Sequence, residues 1–510
     1  MGNISIRFSI NLYKKMILFF TLIIAICWIL YELVLGTLSS YLIGDSIRQF
    51  SFTIWFFMTG MWIGAYLSRY LEKNAIVNFL RIELILSVLW ASSVIILKIL
   101  YLHFSVSWDL FQFFYLFITM LIGWFVWWEL PLVATIYKEL KIKTKSIISD
   151  LFTFDYIGWL VASLLFPLIL LPILGLYNVS IFIWSLNLLV CFLYIQYLRT
   201  HKVYLTKYYF VVLAIVLYFI FLLFTSNKFE NYYLREYYKE PILEVHQSEY
   251  QDIVLTKRWE DFRMYLNGNI QFLSLDEERY HEALVDWPMK LLEENNEKIS
   301  VLILWWWDGL AARNLLKYDS ISDITLVDLD PKITELAKNQ VDLVTLNQWS
   351  LMNEKIKIIH WDAFNYFKTT NYKYDFIVAD FPDPRDVWTA KLYSREMYMW
   401  INNLLKDKGV FITQASNAFF SNKAFWSIDK TMNDVFWNTL AYHRYLPSFW
   451  DWWFIASQKW NLKSIDICDK LWCTVFDRDY QRDKNTIEIN TLAHPKIIEY
   501  YWEWYKKFNL

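Results

Sequence analysis

The order of apolar and polar positions divides the chain in two. As far as residue 226, apolar runs follow one another at 16–36, 48–69, 76–101, 110–136, 150–174, 177–198 and 207–225. Each is near the length that crosses a bilayer as a helix. They predict a multi-pass α-helical membrane domain of about seven helices over 1–226, seated in the cell membrane with the lipid bilayer as its partner. The first run lacks a small-residue cleavage site and is followed by more spans, which separates it from a signal peptide. Lys14 and Lys15, Lys73, Lys141 to Lys145 and Lys202 collect between alternate runs, so their side is read as cytoplasmic. Seven spans then put the rest of the chain on the opposite side, unless one span is re-entrant or interfacial.

Beyond this point the pattern shortens. Residues 227–290 contain alternating apolar and polar positions with Asn267-Gly268 between two such runs, a hairpin signal. They predict a small N-terminal antiparallel β-domain. Over 291–510, buried-strand runs alternate with helical ones: "ISVLIL", "DITLVDLD", "IKIIHWDAF", "YDFIVADFPDP" and "GVFITQAS". That alternation predicts an α/β Rossmann-like, methyltransferase-type domain with a parallel sheet.

Ligands of such sheets bind at the carboxyl ends of the strands. Here those ends carry position 305 onward, Asp328, Asp362 and Asp380. One acid in such a place is more often a helix cap, but acids at successive strand ends point to a ligand. Asp328 is placed to accept from both ribose hydroxyls of a nucleoside, and Asp362 from an adenine amino group. Asp380 and Asp383 in "ADFPDP" put two carboxylates at the reactive end. They suit a cationic amine, which must lose a proton before its nitrogen can attack.

Composition adds a conflict. The turn after "VLIL" holds Trp305, Trp306 and Trp307, where a nucleotide-binding turn calls for glycine. The chain has 28 Trp but only 11 Gly. Eleven in 510 is about 2%, where about 7% is usual, and the excess of tryptophan matches the deficit. Some genetic codes read UGA as tryptophan and others as glycine, so many of these Trp are expected to be glycine codons. In "FTIWFFMTGMWIGAYL" the same exchange makes position 62 part of a small-residue stripe with Gly60 and Gly64; lipid-facing indoles at 55 and 62 are the other possibility. Net charge of −2 gives no footprint for nucleic acid. Cys27, Cys191, Cys468 and Cys473 lack metal-like spacing, so no metal site and no disulfide framework are expected. Glu32, Glu83, Glu129 and Asp155 lie within the apolar runs, where carboxyls are costly and become functional candidates.

Residues 240–460 resemble the polyamine aminopropyltransferases, the spermidine synthase family. The resemblance rests on "YQDIVL", "LNGNIQFLSLDEERYHEALV", "WWWDG", "LVDLDP", "HWDAF", "ADFPDP" and "PSFWDWWF". The apolar half is similar to the membrane-bound bacterial members. Where the family has glycine, this chain has Trp305, Trp306, Trp307, Trp361, Trp450 and Trp453. The resemblance implies transfer of the aminopropyl group of decarboxylated S-adenosylmethionine, a co-substrate, to putrescine or a similar diamine, giving spermidine and methylthioadenosine without a cofactor. It implies that Gln251, Asp328, Asp362 and Ala363 hold the nucleoside, that Tyr280, His281, Asp308 and Asp383 hold the amine, and that Asp380 accepts the proton. It also implies a homo-oligomer. Asp328 replaces the usual Glu, and Asp286 and Val387 also depart from the pattern, which bears on the choice of amine. Two alternatives compete. One is another adenosylmethionine-dependent transferase, such as a methyltransferase. The other is a non-catalytic polyamine-binding or transporting protein whose donor site is filled by indoles.

Overall fold

A computed structural model describes residues 2–71, 73–104, 108–139, 144–200, 206–248, 250–293, 297–305, 308–437, 439–458, 474–475 and 486–508. Trp306, Trp307, Cys468 and Cys473 lie outside them. The chain forms two compact units, 1–239 and 240–510.

The first unit is helical: α1 (Gly2–Ile43), α2 (Ser46–Leu67), α3 (Ala75–Phe104), α4 (Trp108–Glu139), α5 (Thr144–Leu165), α6 (Leu171–Thr200) and α7 (Thr206–Tyr238). Among the described residues, six helical stretches are long and apolar enough to cross a membrane, because Ser149–Arg199 counts as one. A π-helical turn, Phe166–Leu170, joins α5 to α6, and the helical path breaks at Gly175 (φ 70°, ψ 166°). That break falls between the fifth and sixth apolar runs.

Small residues bring α2 and α4 together. A Cβ on Gly60 would run into the Met120 carbonyl, one on Gly64 into the Trp124 carbonyl, and one on Gly123 into the Phe57 carbonyl. Close backbone approach of this kind is how small residues let helices associate. Position 62 is not part of the stripe: Trp62 is 72% exposed and Trp55 also points outward. At 3.6 residues per turn, a residue two beyond Gly60 faces well away from it.

The unit boundary also lies beyond the expected 226. The α7 helix continues past the apolar run through "SNKFENYYLREYY" to Tyr238, since a helix needs backbone hydrogen bonds and not an unbroken apolar sequence. Nor is 227–290 a unit of its own. Its strands are β1 (Ile242–Gln247), β2 (Asp252–Arg258), β3 (Asp261–Leu266) and β4 (Asn269–Leu273), paired antiparallel in that order. Ile253, Leu255 and Met264 share one core with Val301, Ile303 and Leu326 of the following sheet. The β3–β4 turn is the expected hairpin, with Asn267 and Gly268 both at positive φ.

The larger sheet contains β5 (Ile299–Leu304), β6 (Ile321–Asp328), β7 (Ile356–His360), β8 (Tyr374–Ala379), β9 (Leu405–Gln414), β10 (Thr439–Leu446), β11 (Trp450–Gln458) and β12 (Thr474–Val475). Its order is β12-β10-β11-β9-β8-β5-β6-β7. Strands β5 to β9 run parallel, and β11 joins β9 antiparallel. All six residues of β5 and of β8 are buried, as a sheet covered on both faces requires. The chain leaves β5 toward β6 on one side and returns to β8 on the other. A crevice therefore opens at the carboxyl ends of β5 and β8.

Candidate active site

Asp380 stands at that crevice, directly after β8, with its N–H donating to the Leu304 carbonyl at the end of β5 (3.3 Å). The Tyr280 hydroxyl, on the short helix Glu277–His281, donates to its carboxylate. Asp308 and Asp383 are close enough to act on it electrostatically. Burial, reinforced by those two carboxylates, pushes the Asp380 carboxyl well above the usual range, while the Tyr280 hydrogen bond opposes this. Four of the five residues expected at the amine end thus converge on one point.

Each is held by its own backbone context. Asp308 Oδ1 accepts from Leu310 N–H (2.8 Å), which fixes the turn into the helix Leu310–Leu315. Gly309 turns the chain there at φ 85°, and a Cβ on it would strike Ser350 and Leu351. Asp383 accepts from the Tyr501 hydroxyl at 3.0 Å. Tyr501 lies on the helix Lys496–Phe508, which docks onto the same loop through Trp502 Nε1 and the Arg385 carbonyl (2.8 Å). His281 is fully buried beside Tyr280, with Nδ1 2.8 Å from Glu277 Oε2 and 2.7 Å from the Glu277 carbonyl. Arg313 grips the same carboxylate with two nitrogens at 2.8 and 2.9 Å. Burial alone would raise the Glu277 carboxyl, but His281 and Arg313 lower it to about 2. A small cleft lined by Gln271, Asp276, Glu277, Tyr280 and His281 opens beside this group.

The residues expected to hold the nucleoside lie along the neighbouring strand ends. Asp328 closes β6, buried, with Oδ1 accepting from Asp330 N–H at 2.7 Å. Burial and the charge of Asp330 raise its carboxyl to about 7. Gln251, before β2, donates Nε2 to Asp330 at 2.9 Å and so reaches the same strand end. Asp362 follows β7 and caps the helix Ala363–Thr369, accepting from Phe364 N–H (2.8 Å), while its other oxygen meets Lys391 (3.3 Å). Ala363 is the first residue of that helix and is buried. Asp362 therefore does fill the cap role open to any acid at such a place, at one strand end of the crevice. Among the described residues no group of three or more His, Cys, Asp and Glu is arranged to hold a metal ion.

Several supporting residues had no local signal. Asp330 anchors Gln251 and Ser248 (2.6 Å) besides capping the helix that begins at Pro331. Arg313 and Tyr501 reach the site from elements that are remote in sequence. Asp286, a departure from the family pattern, accepts from the Tyr318 hydroxyl at 2.8 Å.

Backbone angles bear on the tryptophans. Among the described residues, ten non-glycine residues have positive φ, and four of them are Trp259, Trp305, Trp349 and Trp437. The left-handed region is a genuine outlier for a bulky residue. Trp305 sits there at φ 70° as the chain leaves β5, its N–H donating to the Val327 carbonyl (3.1 Å). Of the other family positions, Trp361 is half exposed with ordinary φ, and Trp453 fits the core against Phe425 and His443. The side chain of Trp450 is outside the described residues.

Residues 277–467 match the spermine/spermidine synthase domain. A polyamine aminopropyltransferase of Oceanobacillus iheyensis is 32% identical over 96% of this chain and 98% of its own length. One of Leptospira interrogans is 35% identical over 94% of this chain and 96% of its own, and polyamine aminopropyltransferase 2 of Aquifex aeolicus is 34% identical over 97% and 99%. The methyltransferase and non-catalytic alternatives give way to these matches. With four acidic strand ends around one crevice and relatives along nearly its whole length, the chain belongs to the spermine/spermidine synthase family and is a polyamine aminopropyltransferase that gives spermidine.

Proposed function

We propose that the crevice at β5 and β8 takes decarboxylated S-adenosylmethionine and putrescine, with Asp380 as proton acceptor. The observation that carries this is the part-buried Asp380 carboxylate held by Tyr280, with Asp308 and Asp383 near enough to act on it. The cationic amine enters among these acids. Once one end has given up a proton to Asp380, its neutral nitrogen attacks the aminopropyl carbon with its free electron pair, the carbon–sulfur bond breaks, and sulfur keeps the electron pair as methylthioadenosine leaves. Asp380 takes that proton because its raised carboxyl makes it a stronger base than an ordinary carboxylate. Asp328 accepts from the ribose hydroxyls, and Gln251, Asp362 and Ala363 complete the nucleoside site. Positioning and charge placement supply most of the rate in such a displacement. The variant Asp380→Asn should lose turnover by at least about a hundredfold while donor binding, read by calorimetry, stays within a few-fold. Normal turnover in that variant would remove Asp380 from the mechanism.

Two further readings belong here. The positions written Trp259, Trp305, Trp349 and Trp437 are glycine in the native protein, as are Trp306 and Trp307. Each left-handed site is one where glycine is the ordinary choice. Trp259 opens the two-residue turn between Arg258 and Asp261, and Trp437 ends the helix Asn422–Phe436. Peptide masses from the native host test this; an indole at 305, 306 and 307 would end it. The helical unit lies in a membrane as a multi-pass protein. Its outward faces support this, with Phe224 81% and Phe210 75% exposed on α7 and Leu164 on α5 also uncovered.

A further inference from the structure

One element beyond the matched domain, which ends at residue 467, reaches the acids of the crevice. It is the helix Lys496–Phe508. Ile497 is fully buried and Tyr501 is 2% exposed, both in one core with Phe381, Ala390 and Tyr393. Residues four apart lie on one face of a helix, so this is the face that docks. It seats on the loop after β8. The Tyr501 hydroxyl donates to Asp383 Oδ2 (3.0 Å), and Trp502 Nε1 donates to the Arg385 carbonyl (2.8 Å). Lys423 and Glu503 pair to tie the helix to its neighbour, Asn422–Phe436.

The hydroxyl has a specific task there. Asp383, like Asp308, is close enough to Asp380 to act on it electrostatically. Like charges so placed repel, and a carboxylate free to turn would swing away from its neighbours. Tyr501 holds Oδ2, and Gln414 Nε2 lies 3.5 Å from Oδ1, so both oxygens are placed by donors from other elements. A hydrogen bond to a carboxylate is among the stronger ones. Arg385 remains 4.0 Å from Oδ2. Its guanidinium donates to Asn269 Oδ1 and lies over the Tyr501 ring, 5.9 Å from the centroid. The Asp383 carboxylate is thus ordered chiefly by neutral donors, which leave its charge for a cationic ligand.

We propose that Tyr501 is a positioning residue for the amine, acting through Asp383, and that the helix Lys496–Phe508 is therefore part of the amine site. This rests on the reading of the crevice as the place where the amine binds. A carboxylate ordered in advance lowers the entropy cost of binding, so the effect falls on amine binding and not on the chemical step.

The variant Tyr501→Phe tests it, because it keeps the packed ring and removes the donor. In the full chain in detergent, the KM for putrescine and its dissociation constant, read by calorimetry, should both rise by about tenfold, the loss expected for one hydrogen bond to a charged group. The kcat and the KM for decarboxylated S-adenosylmethionine should not change. Tyr500→Phe makes the same change one residue away, where the hydroxyl accepts from Glu488 N–H (3.1 Å), and should leave every constant as in the parent. Added to Asp383→Ala, Tyr501→Phe should weaken putrescine binding no further, since both act on one carboxylate. Parent-like putrescine constants in Tyr501→Phe overturn the proposal. So does an equal rise in both tyrosine variants, or a full tenfold rise on top of Asp383→Ala. A parent chain that binds putrescine but releases no methylthioadenosine would refute the transferase mechanism, and the dissociation constants would still decide the part played by Tyr501.

Discussion

At the scale of single residues, backbone conformation separates two kinds of tryptophan. Trp453 is buried against Phe425 and His443, and its φ needs no exemption. Trp259 and Trp437 are 89% and 87% exposed, and each occupies a left-handed site. Such a site costs a side-chain-bearing residue about 1–2 kcal/mol, and the exposed indole recovers little by packing. Trp259→Gly and Trp437→Gly should therefore each raise stability by roughly 0.5–1 kcal/mol, after allowing for the entropy glycine costs. Thermal unfolding measures this, and a fall in both variants would show that the indoles are native to their turns. Asp328 yields a pH prediction. Its carboxyl holds a proton up to about 7 in the folded chain, but only to about 3.9 when unfolded. Between those values the folded state binds more protons, so this residue makes stability fall as pH rises from about 4 to 7. The difference in unfolding free energy between the parent and Asp328→Asn should follow that slope; a flat difference would mean that the carboxyl titrates normally. The acids proposed for the amine end were legible because they follow strands that the apolar pattern already defined. The support given by Tyr501 and Gln414 was not, since neither is near Asp383 in sequence.

Among elements, two packing devices matter most. The α2–α4 crossing depends on Gly60, Gly64 and Gly123, where any side chain would meet a carbonyl of the other helix. Gly60→Leu should unfold or separate this pair, while Trp62→Gly on the outward face should be tolerated. Yield and thermal stability in detergent distinguish the two, and equal damage from both would refute the assignment of faces. The second device is the buried triad of Glu277, His281 and Arg313 under the Tyr280 helix. Removing one partner of a buried ion pair costs about 3–5 kcal/mol, so Arg313→Ala should destabilise the chain on that scale. It should also raise the KM for the amine, since Arg313 holds Glu277, which shares a helix with Tyr280 and His281. Unchanged stability would mean that water replaces the guanidinium. The seven apolar runs were legible as helices because their length and hydropathy leave few alternatives. The extension of α7 to Tyr238 was not, because its last turns carry no apolar pattern.

For the whole molecule, division into 1–239 and 240–510 places the proposed catalytic residues entirely in the second unit. A chain beginning at Glu240 should fold and transfer aminopropyl groups with a kcat within a few-fold of the full chain. A folded but inactive fragment would show that the helical unit takes part in turnover. The sequence by itself determined the class of each half, the strand ends and the acids they carry, because hydropathy period and strand order depend on local pattern. It also raised, through composition, the proposal that tryptophan stands in places of glycine. Only the tertiary structure decided that the small antiparallel sheet shares its core with the parallel one, and which tryptophans strain the backbone. Those outcomes depend on contacts between residues remote in sequence and on dihedral angles set by the surrounding fold. No local pattern of residue types encodes either.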